Sequence, residues 1–142
     1  MNQDPVDILL VEDNIDDAEL TIRELRKHRL ANNLVHLKDG EEALTFLFGS
    51  GKVGGTLPKL VLLDIQMPKV NGIEVLQQIK SNELTRATPV VILTSSKEDP
   101  DIRRCYGMGV NSYIVKPVNF EQFTEAIRNL GLYWLILNQP PT

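Results

Sequence analysis

Short apolar runs alternate along the chain with longer stretches of helical periodicity. Val6–Val11 (VDILLV), Leu34–Leu37, Leu60–Leu63 (LVLL), Val90–Leu93 (VVIL) and Tyr113–Val115 (YIV) read as short strands. Three of these are almost wholly apolar and do not alternate, the pattern of parallel strands covered on both faces. The intervening segments predict helices. One is capped by Asp16 and runs to about Arg29, one is capped by Asp39 and runs through Phe48, and one spans about Ile73–Asn82. A fourth follows Pro100, and a fifth runs from about Phe120 towards Leu137. Strand and helix alternating five times predict an α/β class fold, a doubly wound parallel sheet with helices on both faces.

Composition narrows the class of function. The 142 residues match one domain, and no Pro/Gly/Ser-rich linker divides them. Hydrophobic residues at 42% and charged residues at 24% suit an ordinary soluble protein. A net charge of -4 argues against binding DNA through its phosphates, which needs clustered Lys and Arg. The amino end lacks a basic segment followed by an apolar one, and no apolar run is long enough to span a membrane. The single Cys105 excludes an internal disulfide and fits a reducing compartment. A cytoplasmic location is expected.

In open α/β sheets, ligands bind outside the carboxyl ends of the strands. The residues just past each apolar run are therefore the informative ones. Glu12 and Asp13 follow the first strand, Asp64 the third, Thr94 and Ser95 the fourth, and Lys116 and Pro117 the fifth. The second strand ends in Lys38-Asp39-Gly40 and adds nothing comparable, and Asp39 is read as a helix cap. Taken singly, a strand-end Asp or Thr is ordinarily a cap or turn residue. The set together, each member at a strand end, is not explained that way.

Two like charges about 4 Å apart repel by about 1 kcal/mol in water, and ~4 kcal/mol at an effective dielectric of 20. Three neighbouring carboxylates therefore take up a proton or recruit a cation. Mg²⁺ suits such a site because it favours one or two carboxylates, several waters and a phosphate. Beside it, Asp64 can act as nucleophile towards a phosphoryl group. Lys116 can neutralise charge on the transferred oxygens, and Thr94 can donate a hydrogen bond to one of them.

Four stretches, ILLVEDN, LLDIQMPKVNG, VVILTSS and SYIVKPV, resemble in order and spacing the receiver domain of two-component response regulators. The resemblance covers essentially the whole chain. It implies a five-stranded flavodoxin-like fold with strand order 2-1-3-4-5, and a histidine kinase that phosphorylates Asp64. By the same resemblance Asp13 and Asp64 are direct Mg²⁺ ligands, the backbone carbonyl of Gln66 is the third, and Glu12 acts through a metal-bound water. Thr94 looks like the switch hydroxyl and Tyr113 like its aromatic partner, with a half-buried strand aromatic as the plainer reading. The small Ser95 leaves access to the acceptor. The Lys116-Pro117 bond is expected to be cis, and Gly72 to serve a turn conformation. Gln66 and Ser96 are positions on which the phosphoryl lifetime depends.

Other features read as structural. Gly49, Gly51, Gly54 and Gly55 with Lys52 fail the Walker pattern, because Val53 follows the lysine. His28 and His36 have no metal-ligand spacing, and Cys105 reads as a buried helical residue. An alternative function, an Asp-nucleophile phosphohydrolase resembling the haloacid dehalogenases, needs a second acid two positions after the nucleophile. Gln66 stands there instead.

The carboxyl-terminal segment is too apolar for a helix exposing one face to water: Leu130, Leu132, Tyr133, Trp134, Leu135, Ile136 and Leu137. It is expected to extend the last helix, over about 130–138, and to form a homodimer or dock a partner through Tyr133, Trp134 and Leu135. A tail folded back on its own core is the alternative. With only Asn138 to Thr142 beyond it, output is expected to pass through surface contacts. The YWL segment and the insertion before Pro58 resemble the small regulators that partner bacterial phytochromes, which implies a phytochrome-type photoreceptor kinase as donor.

Overall fold

The computed structural model describes residues 7–28, 33–49, 57–67, 70–110 and 112–131. Five strands, β1 (Ile8–Val11), β2 (Leu34–Leu37), β3 (Leu60–Asp64), β4 (Val90–Thr94) and β5 (Ser112–Val115), form one parallel sheet in the order β2-β1-β3-β4-β5. This is the flavodoxin-like topology that the resemblance implies. The helices are α1 (Ile15–Lys27), α2 (Gly40–Phe48), α3 (Gly72–Ser81), α4 (Asp101–Gly107) and α5 (Phe120–Asn129).

Residue parity sorts the core into two layers. Alternate strand side chains point to opposite faces, so Ile8, Leu10, Leu60, Leu62, Val91, Leu93 and Ile114 pack with α1 and α5. Leu9, Val11, Val61, Leu63, Val90 and Ile92 pack with α2 and α3, and Cys105 of α4 joins them. The central strands β1, β3 and β4 are buried along their whole length, which is why their sequences do not alternate.

Helix starts follow the side chains that can accept the free amide groups of a first turn. Asp39 caps α2 as expected, accepting from the Glu42 N–H. Asn14, not Asp16, caps α1 by accepting from the Asp17 N–H, and Asp16 and Asp17 lie in the first turn, where the helix dipole favours acids. Asn71 and Asn119 cap α3 and α5 in the same way.

Two expectations change. Gly72 does not serve the turn conformation expected of it; among the described glycines only Gly109 and Gly131 have positive φ. It opens α3 so close to β3 that a Cβ there would collide with the Asp64 carbonyl oxygen. The fifth helix stops at Asn129 rather than running towards Leu137. Leu130 caps it, and Gly131 at φ 72 returns its N–H to the Arg128 carbonyl. Leu130 packs against the α1/α5 core layer. The expected interface residues Tyr133, Trp134 and Leu135 lie outside the described residues, as does most of the glycine-containing 49–55 segment.

Candidate phosphoacceptor site

The parity that builds the core also aims the strand-end side chains. Glu12, Asp64 and Lys116 continue the even positions of β1, β3 and β5, and so turn to the α1/α5 side. Lys116 Nζ donates to Glu12 Oε1 at 3.2 Å, Asp64 Oδ2 at 3.3 Å and Asp17 Oδ2 at 3.0 Å. Glu12 is fully buried and Asp64 is 2% exposed, so these two contacts are removed from bulk water, whereas Asp17 is about one-third exposed. Asp64 Oδ1 also accepts the Gln66 N–H at 2.9 Å. Asp13 lies nearer solvent, and ligand oxygens from Glu12, Asp13 and Asp64 fall within 4.8 Å of one another. A hard divalent cation takes an all-oxygen set of this kind.

Charge in the site is poised accordingly. Burial, followed by the neighbouring Asp64 carboxylate, pushes Glu12 up to about 8. Asp13 is raised by the same two causes. Burial alone would lower Lys116, but the carboxylates of Asp17, Asp64 and Glu12 outweigh it and hold its ammonium firmly charged.

Thr94 ends β4 on the opposite parity and turns to the α4 side. Its hydroxyl donates to Ser96 O at 3.0 Å or to Asp99 Oδ2 at 3.3 Å, and accepts the Ser96 N–H. Tyr113 shares that side. It is half-buried and meets Tyr106 of α4 edge-on, with ring centroids 6.3 Å apart. Ser95 is exposed. The Lys116-Pro117 peptide is cis, as expected. The predicted residues thus form two adjoining groups, an acid and lysine group on one side and a Thr-Tyr group on the other.

The two histidines take structural places. His36 Nε2 lies 2.9 Å from the Glu12 carbonyl oxygen, and His28 stacks on Phe120 at 3.8 Å. Two members of the site escaped the sequence reading. Asp17 carries no signal beyond its position in a first helical turn. Asp99, before Pro100, reads as an ordinary loop acid, yet it also accepts from Gln66 Nε2 at 2.7 Å.

The model of the response regulator receiver domain matches residues 8–128. The chain belongs to this family. A receiver is a phosphoryl-accepting signalling domain, and this one is 45% identical over 139 residues to the probable methanogenesis regulatory protein FilR2 of Methanothrix harundinacea. That match spans 98% of this chain and 90% of the relative. The structure of the bacteriophytochrome response regulator AtBRR superposes with a TM-score of 0.84 at 48% identity, covering 96% of this chain and all of the other. The phosphorylated cyanobacterial phytochrome response regulator RcpA superposes with a TM-score of 0.72 at 36% identity, covering 98% and 100% of the two chains. The phosphohydrolase alternative finds no support among these relatives. No helix among the described residues is long and apolar enough to cross a membrane.

Proposed function

We propose that Asp64 is the phosphoacceptor of this receiver, and that the protein signals by changing shape or association rather than by turning over a substrate. One observation carries the reading: Asp64 shares a cluster with the buried Glu12, the more exposed Asp13 and Lys116, two further acids and one fixed cation. An Asp64 carboxylate oxygen attacks the phosphorus of a phosphohistidine, the P–N bond breaks with its electron pair staying on the nitrogen, and the imidazole leaves neutral because its other ring nitrogen already carries a proton. Asp13, Asp64 and the Gln66 carbonyl would hold Mg²⁺, with Glu12 acting through a bound water. When bound, the ion supplies positive charge against the phosphoryl oxygens. Lys116 supplies a second positive group by moving from its carboxylate partners to the phosphoryl group.

On this reading Thr94 turns from the α4 side to a phosphoryl oxygen, and Tyr113 follows it inward. The signalling change is a two-state element biased by a new dianionic group. The donor is a histidine kinase, as the family implies. The names of AtBRR and RcpA favour one of phytochrome type, and the protein would work in the cytoplasm without binding DNA. The chain acts as one receiver domain, residues 1–142, with the apolar 130–138 segment as a homodimer contact through Tyr133, Trp134 and Leu135. Sedimentation of the intact chain against one ending near Asn129 tests this; identical monomers would exclude the dimer.

The acceptor assignment is tested with acetyl phosphate and Mg²⁺. The intact mass should rise by about 80 Da, one HPO₃. No adduct on the wild type, or one that persists in Asp64→Asn, would refute it.

A further inference from the structure

Asp99 occupies the turn between β4 and α4 and ties three parts of the switch together. Its Oδ2 accepts from Gln66 Nε2 at 2.7 Å and from Thr94 Oγ1 at 3.3 Å. Its Oδ1 accepts the Asp101 N–H at 2.9 Å, in the first turn of α4. Its backbone is equally engaged, donating to Ser96 O at 3.1 Å and accepting from the Ile102 N–H at 3.1 Å. Pro100, at the cap position of α4, offers no side-chain hydrogen bond, so the Asp99 carboxylate does that work.

The two residues held by Oδ2 neighbour the proposed acceptor, one along the chain and one across the sheet. Gln66 follows Asp64 by two residues, and its backbone N–H already donates to Asp64 Oδ1. Thr94 ends the strand paired with β3. A hydroxyl has one proton to give. While Thr94 spends it on Asp99 or Ser96, it cannot donate to a group on Asp64.

We propose that Asp99 is a positioning residue for the switch: at rest its carboxylate holds the Gln66 amide and shares the Thr94 hydroxyl proton with the Ser96 carbonyl, and a phosphoryl group on Asp64 competes for both donors. This rests on Asp64 being the acceptor. A phosphoryl group carries more charge than a carboxylate and three acceptor oxygens, so it wins the competition. The two donors then leave Oδ2 without these partners, and the carboxylate is free to turn, loosening its hold on the Asp101 N–H. Phosphorylation thereby reaches α4 directly through one side chain.

The test uses the full chain with Mg²⁺ and beryllofluoride, a mimic of the phosphoryl group, with acetyl phosphate labelling in parallel. Asp99→Asn retains an oxygen for the Asp101 N–H and should keep the urea midpoint of the wild type, whereas Asp99→Ala loses that as well. Both should bind beryllofluoride more tightly, by about tenfold, the factor carried by one hydrogen bond to a charged group. In a Gln66→Ala background the gain should shrink, because one of the two contested donors is gone; a merely structural role would give additive effects. Wild-type affinity in both Asp99 variants, or strict additivity with Gln66→Ala, overturns the proposal even where the wild type takes the phosphoryl adduct on Asp64. A wild type that takes no adduct overturns the acceptor reading, and this one with it.

Discussion

Lys116 Nζ lies 3.0 Å from Asp17 Oδ2 and 3.3 Å from Asp64 Oδ2, so the proposed phosphate-binding cation is anchored at rest by a helix as well as by the proposed acceptor. Asp17 stands four residues after Asp13, in the first turn of α1, which brings its carboxylate back over the strand ends. Before Lys116 can serve an incoming phosphoryl group it must give up part of this pairing. Asp17→Asn should therefore accelerate labelling by acetyl phosphate several-fold. Because Asp17 is about one-third exposed, folding stability should change by less than about 1 kcal/mol. Rates from intact-mass time courses, beside urea melts, check both; an unchanged labelling rate would mean that Asp17 does not restrain the lysine.

Gly72 provides a steric prediction. The groups that a Cβ would strike, the Asp64 carbonyl and the Ile65 Cα, are backbone and cannot swing aside. Gly72→Ala should cost about 1–3 kcal/mol, the usual penalty of overpacking. It should also lower the yield of the phosphoryl adduct, because the strain falls on Asp64, the proposed acceptor. Wild-type stability would show that α3 sits farther from β3 than described.

The pH dependence follows from Glu12. Its folded value, raised by burial and then by Asp64 to about 8, exceeds the ordinary 4.5. A raised value contributes stability in full below about 4.5, and that contribution is lost as pH rises through about 8. Mg²⁺ favours the ionised carboxylate. The melting temperature gained on adding Mg²⁺, relative to chelator, should thus be larger near pH 9 than near pH 6. Calorimetry measures the difference, and equal gains at both pH values would argue that Glu12 takes no part in binding the ion.

Cys105 should be chemically quiet. Its thiol is 1% exposed and is pushed up to about 11 by burial, with Asp101 and Asp99 adding to the effect. Since the thiolate is the nucleophile, iodoacetamide near pH 8 should modify the native protein far more slowly than the protein in urea. Rapid native alkylation would place the thiol at the surface.

Much of this was legible in the chain itself. Unbroken apolar runs alternating with helical patterns point to parallel strands covered on both faces, and a parallel sheet puts every strand's carboxyl end on one edge. Glu12, Asp13, Asp64, Thr94 and Lys116 had to gather there. What periodicity cannot reach is how far a helix start or a loop lies from that edge. Asn14 rather than Asp16 caps α1 because the cap depends on which side chain meets a free N–H, and both residues can do so in principle. Asp17 and Asp99 joined the site only when α1 and the β4–α4 turn were set against the strand ends. The separation of Thr94 from Asp64 likewise follows from opposite strand parity at neighbouring ends, a property of the registered sheet. Local sequence determined which groups reach the edge of the sheet, because burial demands it. Packing between elements distant in sequence decided which of them touch, because hydrogen bonds and ion pairs depend on distances of a few ångströms that no single element sets.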